Sequence, residues 1–168
     1  MRAKRCDICG RRHYPLDTAI GYDAPAHFFL VPEDERERRV KISPDLCQVD
    51  DEFFLIRGVA EIPFTDAEGC FEWGLWALIS KASFERALEL WEVDEPNEPP
   101  FAGRISGEPP GYDGLMEHPC RVQLVSATQR PLITLEPSDH LMYREQRDGI
   151  PVKRMHDIQF GLAPDLFK

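Results

Sequence analysis

The sequence predicts an α+β protein with a mainly antiparallel sheet. Strand patterns cluster in the middle of the chain, a helical pattern follows, and further strands and a helix complete the order. Strands and helices do not alternate regularly, so the parallel sheet of an α/β protein is not favoured. We therefore expect two or three helices, an antiparallel sheet and a zinc-knuckle-like turn near the N-terminus.

Two apolar runs predict the centre of the sheet. Phe53 to Ile62 is aromatic and β-branched; Gly58 within it indicates a bulge or a close backbone approach, and Pro63 ends it. Between Cys70 and Ser80 the apolar residues fall on both faces, as in a central strand that is covered on both sides. A turn over residues 65–69 would join the two strands.

The other predicted helices and strands have less regular patterns of apolar residues. Ser83 is predicted to cap a helix whose apolar stripe consists of Phe84, Ala87, Leu88 and Trp91. A second helix is predicted to begin at Pro137-Ser138 and to end at Gly149. The other predicted segments are a charged helical turn or loop over 33–39 and strands over 101–106, 120–124 and 132–136. The three tryptophans, Trp73, Trp76 and Trp91, are assigned to the core.

Length and composition indicate one domain. The 168 residues are 42% hydrophobic and 30% charged, which is ordinary for a chain with a core of its own. We expect a basic N-terminal knuckle region, residues 1–50, that packs on an α+β body formed by residues 51–168.

The distribution of charge indicates which kinds of molecule the protein is expected to bind. Thirty acidic residues against 20 basic ones give a net charge of -10, which argues against nucleic acid as the main target. Residues 1–13 nevertheless hold five Lys and Arg residues against Asp7 alone. This basic segment is expected either to dock on the acidic sheet of the same chain or to remain solvated.

A membrane-spanning segment is not predicted, because no apolar stretch approaches the roughly 18–20 residues that a bilayer requires. The basic residues before Cys6 do not resemble the apolar core of a signal peptide. The expected location is the cytoplasm.

The N-terminal cysteines predict a metal site. Cys6 and Cys9, with Gly10 after them, can place two sulfur atoms on one side of a turn, as tetrahedral Zn²⁺ requires. His13 and Cys47 are the proposed third and fourth ligands, with His140 as an alternative fourth ligand. A reducible dithiol and metal-free thiols are the competing interpretations. Cys70 and Cys120 are interpreted as small buried hydrophobic residues.

Three polar residues outside the knuckle are further candidates. His140 lies in the first turn of the helix begun by Ser138, where the helix dipole keeps the ring neutral for metal binding or general-base catalysis. Its alternative is a surface histidine with a local hydrogen bond. Arg57 and Glu61 interrupt an apolar strand, and projection into solvent is favoured over an inward pair.

The motifs together resemble a bacterial family called domain of unknown function 2199. The resemblance is carried by Cys6-x-x-Cys9-Gly10-x-x-His13, Asp45-x-Cys47, Phe54-x-Ile56-Arg57-Gly58, Phe71-x-Trp73-Gly74-x-Trp76, Arg130-Pro131 and Glu136-Pro137-x-x-His140. It spans most of residues 6–150 and implies that Cys6, Cys9, His13, Cys47 and His140 belong to one feature.

Two function classes follow. The first is a binding protein with a structural zinc site and an acidic surface for a basic protein partner, in the manner of an immunity protein that neutralises a toxin. The second is a zinc-dependent enzyme that uses His140 or Glu136 as acid or base. The first is favoured, because no phosphate loop, nucleophile elbow or paired metalloprotease histidines occur in the sequence.

Overall fold

A computed structural model describes residues 2–162. Within that range the strands are β1 Lys4–Arg5, β2 Arg12–His13, β3 Ala19–Gly21, β4 Val40–Ile42, β5 Leu46–Val49, β6 Phe53–Pro63, β7 Cys70–Ile79, β8 Phe101–Ile105, β9 Pro119–Gln123 and β10 Leu132–Leu135. The helices are α1 Ala26–Leu30, α2 Arg36–Arg39, α3 Lys81–Glu89, α4 Leu141–Asp148 and α5 Val152–Leu162, with a 3₁₀ turn at Glu33–Glu35.

Eight strands form one sheet that closes on itself. Their order is β3-β7-β8-β9-β10-β6-β5-β4, and an additional pairing joins β6 to β7. The strands β7, β8, β9, β10 and β6 therefore form a closed five-stranded barrel. Most pairs are antiparallel, but β10–β6 and β3–β7 are parallel. The α+β class with a mostly antiparallel sheet is confirmed, whereas the described residues contain five helices rather than two or three.

The long hairpin of β6 and β7 is the centre of the sheet, as predicted. The two strands pair without interruption from Phe54 opposite Ile79 to Pro63 opposite Cys70. β7 also pairs with β3 and β8, which confirms its central position. Trp73 and Trp76 of β7 are buried, in two different apolar clusters, while Trp91 is partly buried against the larger one.

Gly58 marks the point where the barrel closes. A Cβ atom at this position would lie 2.7 Å from Ile133 Cγ1 and 2.8 Å from the Pro131 carbonyl oxygen. The neighbouring Val59 N–H donates to that same carbonyl at 2.8 Å. The predicted close backbone approach is thus confirmed, and it joins β6 to the chain that enters β10.

The helix boundaries differ from prediction at their N-termini. Helix α3 is capped by Ser80, whose Oγ accepts the Ser83 N–H at 3.0 Å, so the prediction of Ser83 as the cap was wrong by one helical turn. Helix α4 begins at Leu141 rather than at Ser138. Its predicted end is correct, since Gly149 terminates it with a φ of 80°. The charged segment forms a 3₁₀ turn and α2, stabilised by a 2.6 Å ion pair between Glu35 and Arg39.

The expectation that Arg57 projects into solvent was wrong. Its side chain is only 12% exposed and lies 3.6 Å from the carboxylate of Asp23. Glu61, four residues along the same strand, is exposed. The two residues therefore do not share one environment.

Among the described residues, none of the helices has both the length and the apolar character needed to cross a bilayer.

We predict that Gly58→Ala destabilises the protein by about 1–3 kcal/mol, because the added methyl group must displace the Ile133 side chain or the backbone at Pro131. Urea unfolding followed by tryptophan fluorescence measures the change. Gly161→Ala is the control, since a Cβ there meets no atom within 4 Å. An equal loss of stability in both variants would contradict the packing argument.

Candidate metal centre

A tight turn between β1 and β2 holds the first three candidate ligands. The Cys6 N–H donates to the Arg11 carbonyl and the Gly10 N–H donates to the Cys6 carbonyl, both at 2.8 Å. Gly10 has a φ of 71°, which a residue with a side chain rarely adopts. The two short strands then pair His13 with Lys4. We call residues 4–13 the knuckle.

Helix α5, which the sequence analysis did not predict, supplies the fourth candidate ligand, His156. The start of this helix is anchored to the turn that connects β6 to β7. The Ile150 N–H donates to the Pro63 carbonyl, and the Thr65 N–H donates to the Ile150 carbonyl, each at 2.9 Å. The Asp66 carboxylate accepts the Val152 N–H at 2.9 Å, so it caps the helix.

A buried polar network also fixes α5. Glu145 of α4 is 8% exposed and accepts two hydrogen bonds, from the Tyr112 hydroxyl at 2.5 Å and from Arg154 Nε at 2.8 Å. Burial is the main cause of the raised pKa of Tyr112, and the Glu145 carboxylate adds to it. Each carboxylate oxygen of Glu145 thus accepts one hydrogen bond. The bond from Arg154 joins α5 to α4 at a position two residues before His156.

The knuckle and the following loop contact α5 directly. Asp17 and Gln159 exchange two hydrogen bonds, from the Asp17 N–H at 3.0 Å and to the Asp17 carbonyl at 2.6 Å. The Arg11 guanidinium lies 5.7 Å from the centre of the Phe160 ring. These contacts place the basic segment against the C-terminal helix α5. The sequence had led us to expect either docking on the acidic sheet or a solvated segment.

Four potential ligand atoms converge where the knuckle meets α5. The sulfur atoms of Cys6 and Cys9 and one ring nitrogen each of His13 and His156 all lie within 4.8 Å of one another. The Nε2 atoms of both histidines are shielded from solvent, and the ring centres are 5.8 Å apart. Ligand atoms around tetrahedral Zn²⁺ are about 3.3–3.8 Å apart, so only a small contraction separates this arrangement from a closed site.

The hydrogen bonds of the cluster prepare its atoms for a metal. His13 Nδ1 lies 2.6 Å from the Tyr14 carbonyl and must carry a hydrogen, which directs Nε2 toward the cluster. This bond is also the main reason that the pKa of His13 is raised. Burial raises the pKa of Cys6, but hydrogen bonds from the backbone N–H groups of Cys9 and Ile8 and with the His13 ring outweigh it, so the net pKa is lowered. A lowered thiol pKa favours the thiolate that zinc binds.

Cys47 and His140, the other predicted ligands, are not among the four residues. Cys47 is 1% exposed on β5, where it packs with Leu55 and Trp76. His140 caps α4: its Nδ1 accepts the Met142 N–H at 3.1 Å, and its Nε2 donates to the Asp113 carbonyl at 3.0 Å. Both were assigned to one feature with the knuckle, but the fold places Cys47 in an apolar cluster and uses His140 as a cap.

The other sequence candidates lie in different surroundings. Glu136 forms a 2.6 Å ion pair with Arg121. Cys120 is buried, as predicted. Cys70 is only partly buried, and its sulfur lies within 4.8 Å of carboxylate oxygens of Glu61 and Glu72, so its description as a buried hydrophobic residue was wrong.

A local pattern for α5 is nevertheless present in the sequence. Pro151 is typical of the first turn of a helix, and Met155 and Ile158 are spaced to share one apolar face with Val152. His156 lies beside Met155 on this helix and is 4% exposed. That pattern predicts the helix, but it does not indicate that the knuckle is its neighbour.

The family model of an uncharacterized protein conserved in bacteria (DUF2199) matches residues 5–150. The chain belongs to this family. Cys6, Cys9 and His13 lie within the matched residues, and His156 lies beyond them. No curated protein and no solved structure matches the chain.

Thiol labelling distinguishes the cluster seen in the structure from the predicted one. Burial raises the pKa of Cys47 to about 11 and that of Cys120 to about 12, so both thiols stay protonated and unreactive in the native protein. We predict that a zinc chelator increases the labelling rate of Cys6 and Cys9 but not that of Cys47. Mass spectrometry of labelled peptides measures each rate. If the chelator also increased the labelling rate of Cys47, Cys47 would have to be counted among the zinc ligands.

Proposed function

We propose that the protein binds zinc through Cys6, Cys9, His13 and His156, and that the metal is structural. The observation that carries this proposal is the convergence of four ligand atoms from opposite ends of the chain. Two thiolates and two imidazoles are a common donor set for structural zinc. Four protein ligands complete a tetrahedron, so they leave no coordination position for a substrate.

The metal would join the knuckle to α5. In the described residues the two-stranded sheet of the knuckle is separate from the eight-stranded sheet, so few main-chain hydrogen bonds hold it. A metal bound by both segments adds its binding free energy to folding, because the unfolded chain has no preformed site. The knuckle and α5 would then unfold together when the metal is removed.

The alternative of a zinc enzyme that uses His140 or Glu136 is not favoured. Neither residue belongs to the cluster, and each already has a different role, His140 as a helix cap and Glu136 in an ion pair with Arg121.

We predict that the purified protein contains about one zinc ion per chain and that His156→Ala removes it. Loss of a ligand should weaken binding by more than the roughly 10–100-fold cost of losing an outer hydrogen-bond partner. Metal analysis by mass spectrometry gives the stoichiometry, and competition with a chromogenic chelator gives the affinity.

Two variants serve as controls for that experiment. Cys9→Ser should also lose zinc, whereas His140→Ala should keep it and lose only the helix cap and the hydrogen bond to the Asp113 carbonyl, together about 1–3 kcal/mol. Retention of zinc by His156→Ala, or its loss from His140→Ala, would refute the assignment of the fourth ligand. A wild-type protein without stoichiometric zinc would refute the proposal itself.

The role of the zinc-stabilised protein would be to bind a basic protein partner. Support comes from an acidic surface, formed by α3 and the loop that follows it. Within the described residues, Glu85, Glu92, Asp94 and Glu95 of this surface form no ion pair. A cavity of about 390 Å³ adjoins it, lined in part by Trp91 and Pro96. Exposed carboxylates beside a cavity suit a partner that presents Lys or Arg side chains.

We predict that replacement of Glu92, Asp94 and Glu95 by lysine abolishes capture of basic proteins from a bacterial lysate. The wild-type interaction should weaken strongly between about 0.05 and 0.5 M salt, because screening shortens the reach of exposed charges. The control reverses three exposed carboxylates elsewhere, Glu33, Glu37 and Glu68, and should leave capture unchanged. Equal loss in both variants would indicate dependence on net charge alone and would contradict a defined surface.

A further inference from the structure

Ser106 and His27 form a buried hydroxyl–imidazole pair outside the metal centre. Ser106 Oγ lies 2.6 Å from His27 Nδ1, and the two residues are 2% and 6% exposed. The same Oγ accepts the backbone N–H of His27 at 3.3 Å, so its own hydrogen is available to Nδ1. Burial lowers the pKa of His27, which keeps the ring neutral and able to accept that hydrogen.

Glu117 lies on the other side of the imidazole ring. Its Oε1 is 4.0 Å from His27 Nε2, and its Oε2 is 3.4 Å from the guanidinium of Arg104. The distance to Nε2 exceeds that of a hydrogen bond but allows Coulomb attraction to an imidazolium ion, which the positive charge of Arg104 partly offsets. The order of groups is therefore hydroxyl, imidazole and carboxylate, in which the carboxylate stabilises the ring once it has taken a proton.

Ser106 also lines an apolar cavity of about 180 Å³. Its lining residues include Tyr22, Phe29 and Trp76, together with residues 107–109. Gly107 is one of these lining residues, and its backbone N–H donates no hydrogen bond to any described residue. A free N–H directly after a serine is suited to stabilise an oxyanion that forms beside the hydroxyl.

We propose that Ser106 is a nucleophile, with His27 as its general base, and that the apolar cavity takes the acyl chain of a small carboxylic ester. Ser106 Oγ attacks the carbonyl carbon and forms a C–O bond while its proton passes to His27 Nδ1. The bond from this carbon to the alcohol oxygen then breaks, and the alcohol leaves with that proton. Water next attacks the acyl-serine, its proton returns through His27 to Oγ, and the carboxylic acid is released.

The dimensions of the cavity define the substrate class. A volume of about 180 Å³ can enclose a short acyl chain, but it is too small to enclose a polypeptide segment or a long lipid tail. Its lining residues are mostly aromatic and aliphatic, and Glu108 is the charged residue among them. An uncharged ester with a short acyl chain fits this chemistry.

Labelling of the full-length protein with a fluorophosphonate, mapped by peptide mass spectrometry, tests the nucleophile. We expect an adduct on Ser106 and hydrolysis of p-nitrophenyl butyrate. Ser106→Ala and His27→Gln should lower kcat/KM by about 10²–10⁴-fold, and Glu117→Gln should lower kcat with little change in KM. Ala24→Phe, which fills the cavity, should raise KM for the butyrate more than for the acetate.

Ser126→Ala is the matched control, since Ser126 lines a different cavity and should retain full hydrolysis and labelling. The wild-type adduct keeps the test valid even if Ser106→Ala fails to fold. Absence of an adduct on Ser106 in the native protein, or hydrolysis that persists in a folded Ser106→Ala, would overturn the proposal. Hydrolysis that also survives in zinc-free protein would place the activity outside the metal centre and leave the zinc proposal unaffected.

Discussion

The continuous pairing of β6 with β7 determines where the other strands and both apolar clusters lie. These two strands are the longest in the described chain, and between them they border every other strand of the barrel wall except β9. β10 closes the barrel against β6 at Gly58, where a side chain would not fit. The residues of this hairpin also supply much of both apolar clusters, including Leu55, Trp73 and Trp76.

The turn end of the same hairpin positions both parts of the candidate metal centre. β3, which follows the knuckle, pairs with Glu72–Gly74 of β7, and α5 begins beside Pro63 and Asp66 at the end of β6. Two segments that are distant in sequence are thus attached to neighbouring parts of one rigid hairpin. Their meeting point holds two thiols and two imidazoles, and the Glu145–Arg154 bond limits the movement of the helix that carries His156.

The elements that were predicted well are those whose pattern is long and local. β6 and β7 each contain ten or more residues, most of them apolar. An error of one residue at either end therefore does not change their prediction as strands. The start of α3 was misplaced because Ser80 and Ser83 are both suitable caps, and local sequence does not decide between them. Arg57 was misjudged because its environment depends on Asp23 and on the chain around Gly21, neither of which is close in sequence.

Local sequence was sufficient to predict the knuckle, since two cysteines, a glycine suited to positive φ and a histidine lie within eight residues and their geometry follows from one turn. It also determined the fold class through the strand patterns. The distant residue that completes the cluster could not be predicted in this way, because it depends on how the whole chain packs. Cys47, His140 and His156 are equally plausible ligands by residue type. Chain packing separates them, because β5 buries Cys47 among apolar side chains, α4 uses His140 as its cap, and the hairpin directs α5 and His156 toward the knuckle.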